Sequence, residues 1–161
     1  MKAVLISIQP KWVEKIASGE KTIEVRKSRP KLETPFKCYI YCTIGNGVKG
    51  DYLVPSGIQC GKVIGEFVCK GIMRPFDCLK LMAKQSCLTE NELLDYSNGK
   101  TLYGWRIADL KIYDKPKELS EFRKYYECGN NSCGSCDKCD KDYHLTRPPQ
   151  SWCYVEELQN G

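Results

Sequence analysis

The sequence has no long hydrophobic run. Its N-terminal segment, MKAVLISIQP, offers a largely apolar stretch of only six residues before Gln9 and Pro10, too short for the core of a secretion signal. No later segment approaches the roughly 18 apolar residues of a membrane span, so a cytoplasmic protein without membrane attachment is expected. Internal repeats and low-complexity tracts are missing as well, which sets aside repeat architectures. A strong charge of either sign is also lacking: 25 lysines and arginines against 20 aspartates and glutamates leave a net charge of +5. That balance allows a nucleic-acid partner without demanding one. Histidine is nearly absent, with His144 alone. Cysteine is the exception to this scarcity. Eleven cysteines, an odd number in a chain without an export signal, argue against a disulfide framework and for metal binding or simple burial. At 161 residues the chain buries about two thirds or more of its unfolded surface, which supports one domain, taken as residues 1–158.

The stretch from Trp12 to Lys31, WVEKIASGEKTIEVRKSRPK, carries the densest chemistry. Val13, Ile16 and Ala17 recur at helical spacing, Gly19 stands where a glycine ends a helix, and Thr22-Ile23-Glu24-Val25-Arg26 alternates with period two. A strand here puts Ile23 and Val25 on one face and Thr22, Glu24 and Arg26 on the other, while Lys21 enters from the turn. Three long polar side chains then converge at the mouth of a helix-turn-strand unit. An ammonium and a guanidinium there can hold a phosphate or carbonyl while the carboxylate orients or deprotonates a substrate. The alternative is a solvated, salt-bridged strand face. Residues 20–31 also hold Lys21, Arg26, Lys27, Arg29 and Lys31 against Glu20 and Glu24, a local excess that attracts phosphate.

The rest of the chain reads as a mostly β domain. Ala3–Ile8 is an apolar first strand, and Pro10 opens the first helix where a missing N–H costs nothing. Lys37–Thr43 alternates, with Cys38, Ile40 and Cys42 on one side as core residues and Tyr39 and Tyr41 on the other. Residues 45–61 form a glycine-rich connection, and Lys62–Arg74 resumes as a strand that stops before Pro75. Glu66 lies within it, either on an open strand face or as a cleft acid. Thr89 and Glu92 form a capping box for a short helix through Tyr96, stopped by Asn98-Gly99. Trp105–Tyr113 alternates as a strand, Lys117–Tyr126 reads as a helix or turn, and Ser151–Leu158 closes the sheet.

Cys128, Cys133, Cys136 and Cys139 place four thiols within twelve residues, interleaved with Gly129, Asn130, Asn131, Ser132 and Gly134. Such a segment cannot pack a core, but its turn-forming residues let the backbone fold around one ion. A structural zinc site of four thiolates is expected within an insertion spanning residues 127–144. An iron–sulfur cluster is the alternative, since the last three cysteines have ferredoxin spacing, yet the expected Cys-Pro continuation is absent and Asp137, Lys138, Asp140 and Lys141 surround them. His144 is a further candidate ligand, with a surface histidine as the other outcome. Four thiolates on Zn2+ carry about −2 and lower the net charge to about +3, which weakens the case for duplex binding.

The run GEKTIEVR (Gly19–Arg26), entered through ISIQPKW (Ile6–Trp12), resembles the G-x-K-x-x-E-x-R signature of ASCH domains, a branch of the PUA-like superfamily. The likeness extends to YGWRIADLKIYDKP (Tyr103–Pro116) and PPQSWCYVEEL (Pro148–Leu158), segments of the sort found in ASCH proteins of Firmicute phages and prophages. What it implies is an α+β fold: a small, partly open β-barrel with flanking helices and a positively lined cleft that binds RNA or modified nucleosides. The Cys-rich insertion is no part of that signature.

Within the segments carrying the likeness stand Trp12, Trp105 and Trp152, beside Lys11, Arg106 and Ser151. A single-stranded base is commonly held by stacking on such a ring, and Trp12 is the preferred platform because it starts the helix that delivers Lys21. Arg147, beside Pro148-Pro149, is a candidate phosphate contact or a plain surface arginine.

The resemblance also implies a rival function. Some compact ASCH-type proteins are amidohydrolases acting on N4-acetylcytidine through a lysine, a threonine and a glutamate, and others are ribonucleases. Lys21 matches the family lysine, but Glu24 stands where those amidohydrolases have threonine, and Thr22 lies about 6 to 7 Å away along the strand. The distant acid is left open among Glu66, Glu90 and Glu92. A phage-type protein-interaction module is the third reading. Binding of RNA, other single-stranded nucleic acid or a modified nucleoside is the expected role, with the oligomeric state open.

Overall fold

The apolar run at the N-terminus becomes β1 (Lys2–Ile8), in which every residue from Ala3 to Ile8 is buried. A strand buried on both faces needs partners on both edges. In the computed structural model, which describes residues 1–45, 56–127 and 143–159, β1 pairs in parallel with β3 (Phe36–Cys42) and antiparallel with β6 (Trp152–Glu156). The remaining strands are β2 (Ile23–Arg26), β4 (Val63–Met73) and β5 (Tyr103–Lys117). They complete a six-stranded sheet in the order β2-β5-β4-β3-β1-β6. Together with the three α-helices among the described residues, this is an α+β half-barrel.

Burial follows the strand alternation. Val4, Ile6 and Ile8 join Cys38, Ile40 and Cys42 in the main core with Phe67 and Trp105. Ala3 and Leu5 join Tyr39 and Tyr41 in a second core with Phe122 and Val155. The sheet curls because pairing between β4 and β5 shifts register at three places, each shift adding local twist. Gly65 sits at this tight seam: a Cβ there would lie 2.5 Å from the Lys111 carbonyl oxygen.

The helix α1 (Pro10–Ala17) starts on Pro10, buries Val13 and Ile16 in the main core, and gives way to Gly19 at φ +81°. The helix α3 (Glu90–Ser97) opens on its capping box: Glu92 N–H donates to Thr89 Oγ1 at 3.1 Å and Thr89 N–H to Glu92 Oε2 at 2.7 Å. Between them α2 (Pro75–Ser86) was not foreseen, because non-helical Cys78 breaks its apolar spacing into short pieces. Together α2 and α3 cover Ile23, Val25, Met73 and Leu102 in a third core. The helix or turn expected at Lys117–Tyr126 is a short 3-10 turn at Leu119–Glu121, which follows β5 directly because Lys117 still pairs with Val63. Among the described residues, no helix is long and apolar enough to cross a membrane.

The described cysteines are free thiols, and Cys38, Cys42, Cys60 and Cys69 are buried, with the Cys42 and Cys60 sulfurs 3.4 Å apart. Burial pushes the Cys38 and Cys42 thiols up and raises Cys69 and Cys153 to about 11, against 9.0 when unperturbed. Above pH 9 the unfolded chain therefore loses protons that the folded chain keeps, so folding stability is complete below about pH 9 and falls between pH 9 and 11. The expected slope is about 1.4 kcal/mol per pH unit for each buried thiol. Urea unfolding from pH 8 to 11 should show the decline, and Cys69→Ala should make it shallower by one thiol's share, about 1.4 kcal/mol per pH unit.

Candidate functional site

Gly19 turns the chain from α1 into β2, and the turn is pinned by Lys21 N–H donating to the Lys15 carbonyl at 2.9 Å. This sends the Lys21 side chain inward. It is only 3% exposed, its ammonium donates to the Ser86 carbonyl at the end of α2 (3.0 Å), and it lies 3.3 Å from Glu24 Oε2. Glu24, 6% exposed, places its other oxygen 3.0 Å from Arg26 Nη2, which also donates to the Ser7 carbonyl on β1 at 2.5 Å. One carboxylate thus stands between two cations, leaving an excess positive charge. Glu24 Oε2 and Arg26 Nε are both buried without a hydrogen-bond partner. Oε2 nevertheless faces the Lys21 ammonium as an ion pair, and an unmet polar atom in a buried site costs roughly 1–3 kcal/mol of stability.

These side chains border a cleft of about 750 Å³ whose walls include Ser7, Gln9, Trp12, Leu88, Glu92 and Tyr96. The Trp12 ring lies 5.2 Å from the Lys21 ammonium and 4.4 Å from that of Lys11. An apolar ring beside a fixed charged floor suits a planar, polar-edged ligand.

Of the residues singled out in the sequence, Trp12, Lys21, Glu24 and Arg26 meet at this cleft. Thr22 does not line it: its side chain is exposed, and its backbone bonds to Gln85 and Ile107. Trp105 requires a correction. It is wholly buried, packed edge-on against Phe36 and Trp152, so it offers no face to a ligand. Trp152 is half-buried outside the cleft lining, with its indole N–H donating to Ser28 Oγ at 3.0 Å, and exposed Arg147 does not line the cleft either. Among the candidate distant acids, Glu66 is engaged elsewhere by Tyr113 (2.5 Å) and Lys37 (3.6 Å), and Glu90 is not in the lining. Glu92 is in the lining, although its carboxylate serves the α3 capping box.

Ser7 and Tyr96 escaped the sequence reading. Ser7 lies in an apolar strand and Tyr96 on a polar helix, and only the tertiary fold brings them to the cleft. Cys128, Cys133, Cys136 and Cys139 lie outside the described residues. Among the described residues, no group of three or more histidine, cysteine, aspartate or glutamate side chains is arranged to hold a metal ion. His144 pairs by a single β-bridge with Arg123.

The ASCH domain family model matches residues 6–128. Among solved structures, the chain is similar to an ASCH protein from Zymomonas mobilis at 20% identity and a TM-score of 0.63, covering 96% of this chain and 88% of that one. Two single-substitution variants of the same protein give TM-scores of 0.62 and 0.61, also at 20% identity, covering 96% and 98% of this chain and 89% and 92% of theirs. At this identity the likeness establishes the fold. No curated protein matches the chain.

Removing Glu24 would leave the buried Lys21 and the half-buried Arg26 as neighbouring cations with no counter-charge. Glu24→Ala should therefore lower unfolding free energy by about 3 kcal/mol or more. Thr22→Ala, on the exposed side, should change it by less than about 0.5 kcal/mol. Urea denaturation of the two variants checks the contrast.

Proposed function

This chain belongs to the ASCH domain family, whose members are generally nucleic-acid-binding, and we propose that its cleft binds single-stranded RNA or a modified nucleoside through one to a few nucleotides. The observation that carries this reading is the Lys21–Glu24–Arg26 group, one carboxylate between two cations, at a cleft walled by Trp12. Stacking on Trp12 holds the base plane. Glu24 braces the two cations from between them, and Lys21 and Arg26 present their positive charge to a carbonyl or phosphate oxygen.

Binding is favoured over hydrolysis by the state of the available groups. The Lys21 ammonium is held between a carbonyl and a carboxylate, as a donor and electrostatic anchor. Thr22 is outside the cleft, and the Ser7 hydroxyl, which borders it, already donates to the Pro149 carbonyl at 2.6 Å.

Fluorescence titration with short single-stranded RNA and free nucleosides tests the reading. Binding should depend only shallowly on salt, with a slope of about one to three, and should be weakened by Lys21→Ala and Trp12→Ala but not by Lys115→Ala. Tight duplex binding with a steep slope, insensitive to Lys21 and Trp12, would contradict it. Turnover of N4-acetylcytidine that disappears in Lys21→Ala would establish the hydrolase instead.

A separate proposal concerns Cys128, Cys133, Cys136 and Cys139, whose spacing suits a tetrahedral thiolate site. Purified protein should contain about one zinc per chain, and Cys136→Ser should lose both the metal and part of the stability. Brown protein with visible absorption after anaerobic purification would identify an iron–sulfur cluster.

A further inference from the structure

The cleft has a second aromatic ring in its lining besides Trp12. Tyr96, on α3, lines it together with Trp12 on α1, and is 40% exposed although it is a large ring. Lys27, the residue directly after Arg26, lays its ammonium 4.7 Å from the centre of the Tyr96 ring. Lys11 does the same to Trp12 at 4.4 Å. Two aromatic rings in one cleft therefore each carry a lysine. Both lysines are exposed, whereas Lys21 and Arg26 are held by backbone carbonyls.

That division of labour has a physical meaning. An ammonium over a ring at an exposed site gains only about 0.5–1 kcal/mol, so a stacking base can displace it. The displaced charge remains beside the platform, where the phosphate of the same nucleotide must lie. The cleft volume of about 750 Å³ falls in the upper part of the roughly 300–1,000 Å³ range of ligand pockets, and its local charge is positive. We infer that Tyr96 and Lys27 form a second nucleotide subsite, so that the cleft takes two consecutive nucleotides of a single strand, one base on Trp12 and the next on Tyr96, with Lys27 at a phosphate. An acidic peptide would satisfy the lysines but would leave two ring faces without planar partners.

The inference rests on the nucleotide-binding reading above, and the test separates the two. The probes are adenosine monophosphate and the dinucleotide pApA, titrated against wild type, Trp12→Ala, Tyr96→Ala, Tyr96→Phe and Lys27→Ala. In wild type, pApA should bind about 5- to 150-fold more tightly than the mononucleotide, the gain of one stacked base. Tyr96→Ala should abolish that gain and Tyr96→Phe should keep it, while Lys27→Ala should lower the salt slope for pApA by about 0.7. If pApA binds no more tightly than the mononucleotide, or if the gain survives Tyr96→Ala, the second subsite is overturned while the Trp12 site stands. If neither probe binds, or Trp12→Ala weakens neither, both readings fall. Circular dichroism confirms that each variant is folded; Tyr96 and Lys27 are exposed, so their replacement should leave the fold intact.

Discussion

A buried carboxylate standing between a buried and a half-buried cation is the constraint on which the arrangement of this protein depends. Glu24 is almost fully removed from water, and so is Lys21. Taking such charges out of water costs several kcal/mol per ion, recovered only through close, well-oriented partners. The partners come from three separate elements. Lys21 reaches the end of α2 through the Ser86 carbonyl, Arg26 reaches β1 through the Ser7 carbonyl, and Glu24 joins the two from β2. The group therefore ties the edge strand β2 and helix α2 to strand β1 while forming part of the cleft wall.

This construction explains why the site is rigid where it is charged and adjustable where it is aromatic. Lys21 and Arg26 are fixed by carbonyl acceptors, so little conformational freedom is lost when a ligand meets them. Lys11 and Lys27 are exposed and rest on rings that a planar ligand can cover. The bulged seam between β4 and β5 and the close approach at Gly65 curl the sheet, and its mixed order places β2 and β1 on opposite sides of the middle strands. Only a curved sheet lets Arg26 on one reach Ser7 on the other.

Much of this was legible in the sequence because it is local. A glycine after a helical repeat, followed by period-two alternation, was enough to bring Lys21, Glu24 and Arg26 together, and the same alternation separated Cys38 and Cys42 from Tyr39 and Tyr41. The capping box of α3 was readable from Thr89 and Glu92 alone. What failed to show was long-range or irregular. Trp105 stands beside a polar neighbour in an alternating strand, which does not reveal that its own face is the core. Thr22 shares the parity of Glu24 and Arg26 but precedes the first residue of β2, and its side chain stays outside the cleft. The break at Cys78 hid α2, and nothing local in Ser7 or Tyr96 announces a cleft that β1, α1, β2, α3 and the loops beside them build together.

The central claim is that the cleft beside Trp12, floored by Lys21, Glu24 and Arg26, is where this protein meets a nucleic acid. Photo-crosslinking of a short single-stranded RNA containing 4-thiouridine, followed by mass spectrometric mapping of the modified peptides, tests it most directly. The account requires crosslinks within residues 9–27 and 88–96, lost when Lys21 is replaced by alanine. Crosslinks confined to the far side of the sheet, around Tyr113 and Leu119, and indifferent to Lys21 would contradict it.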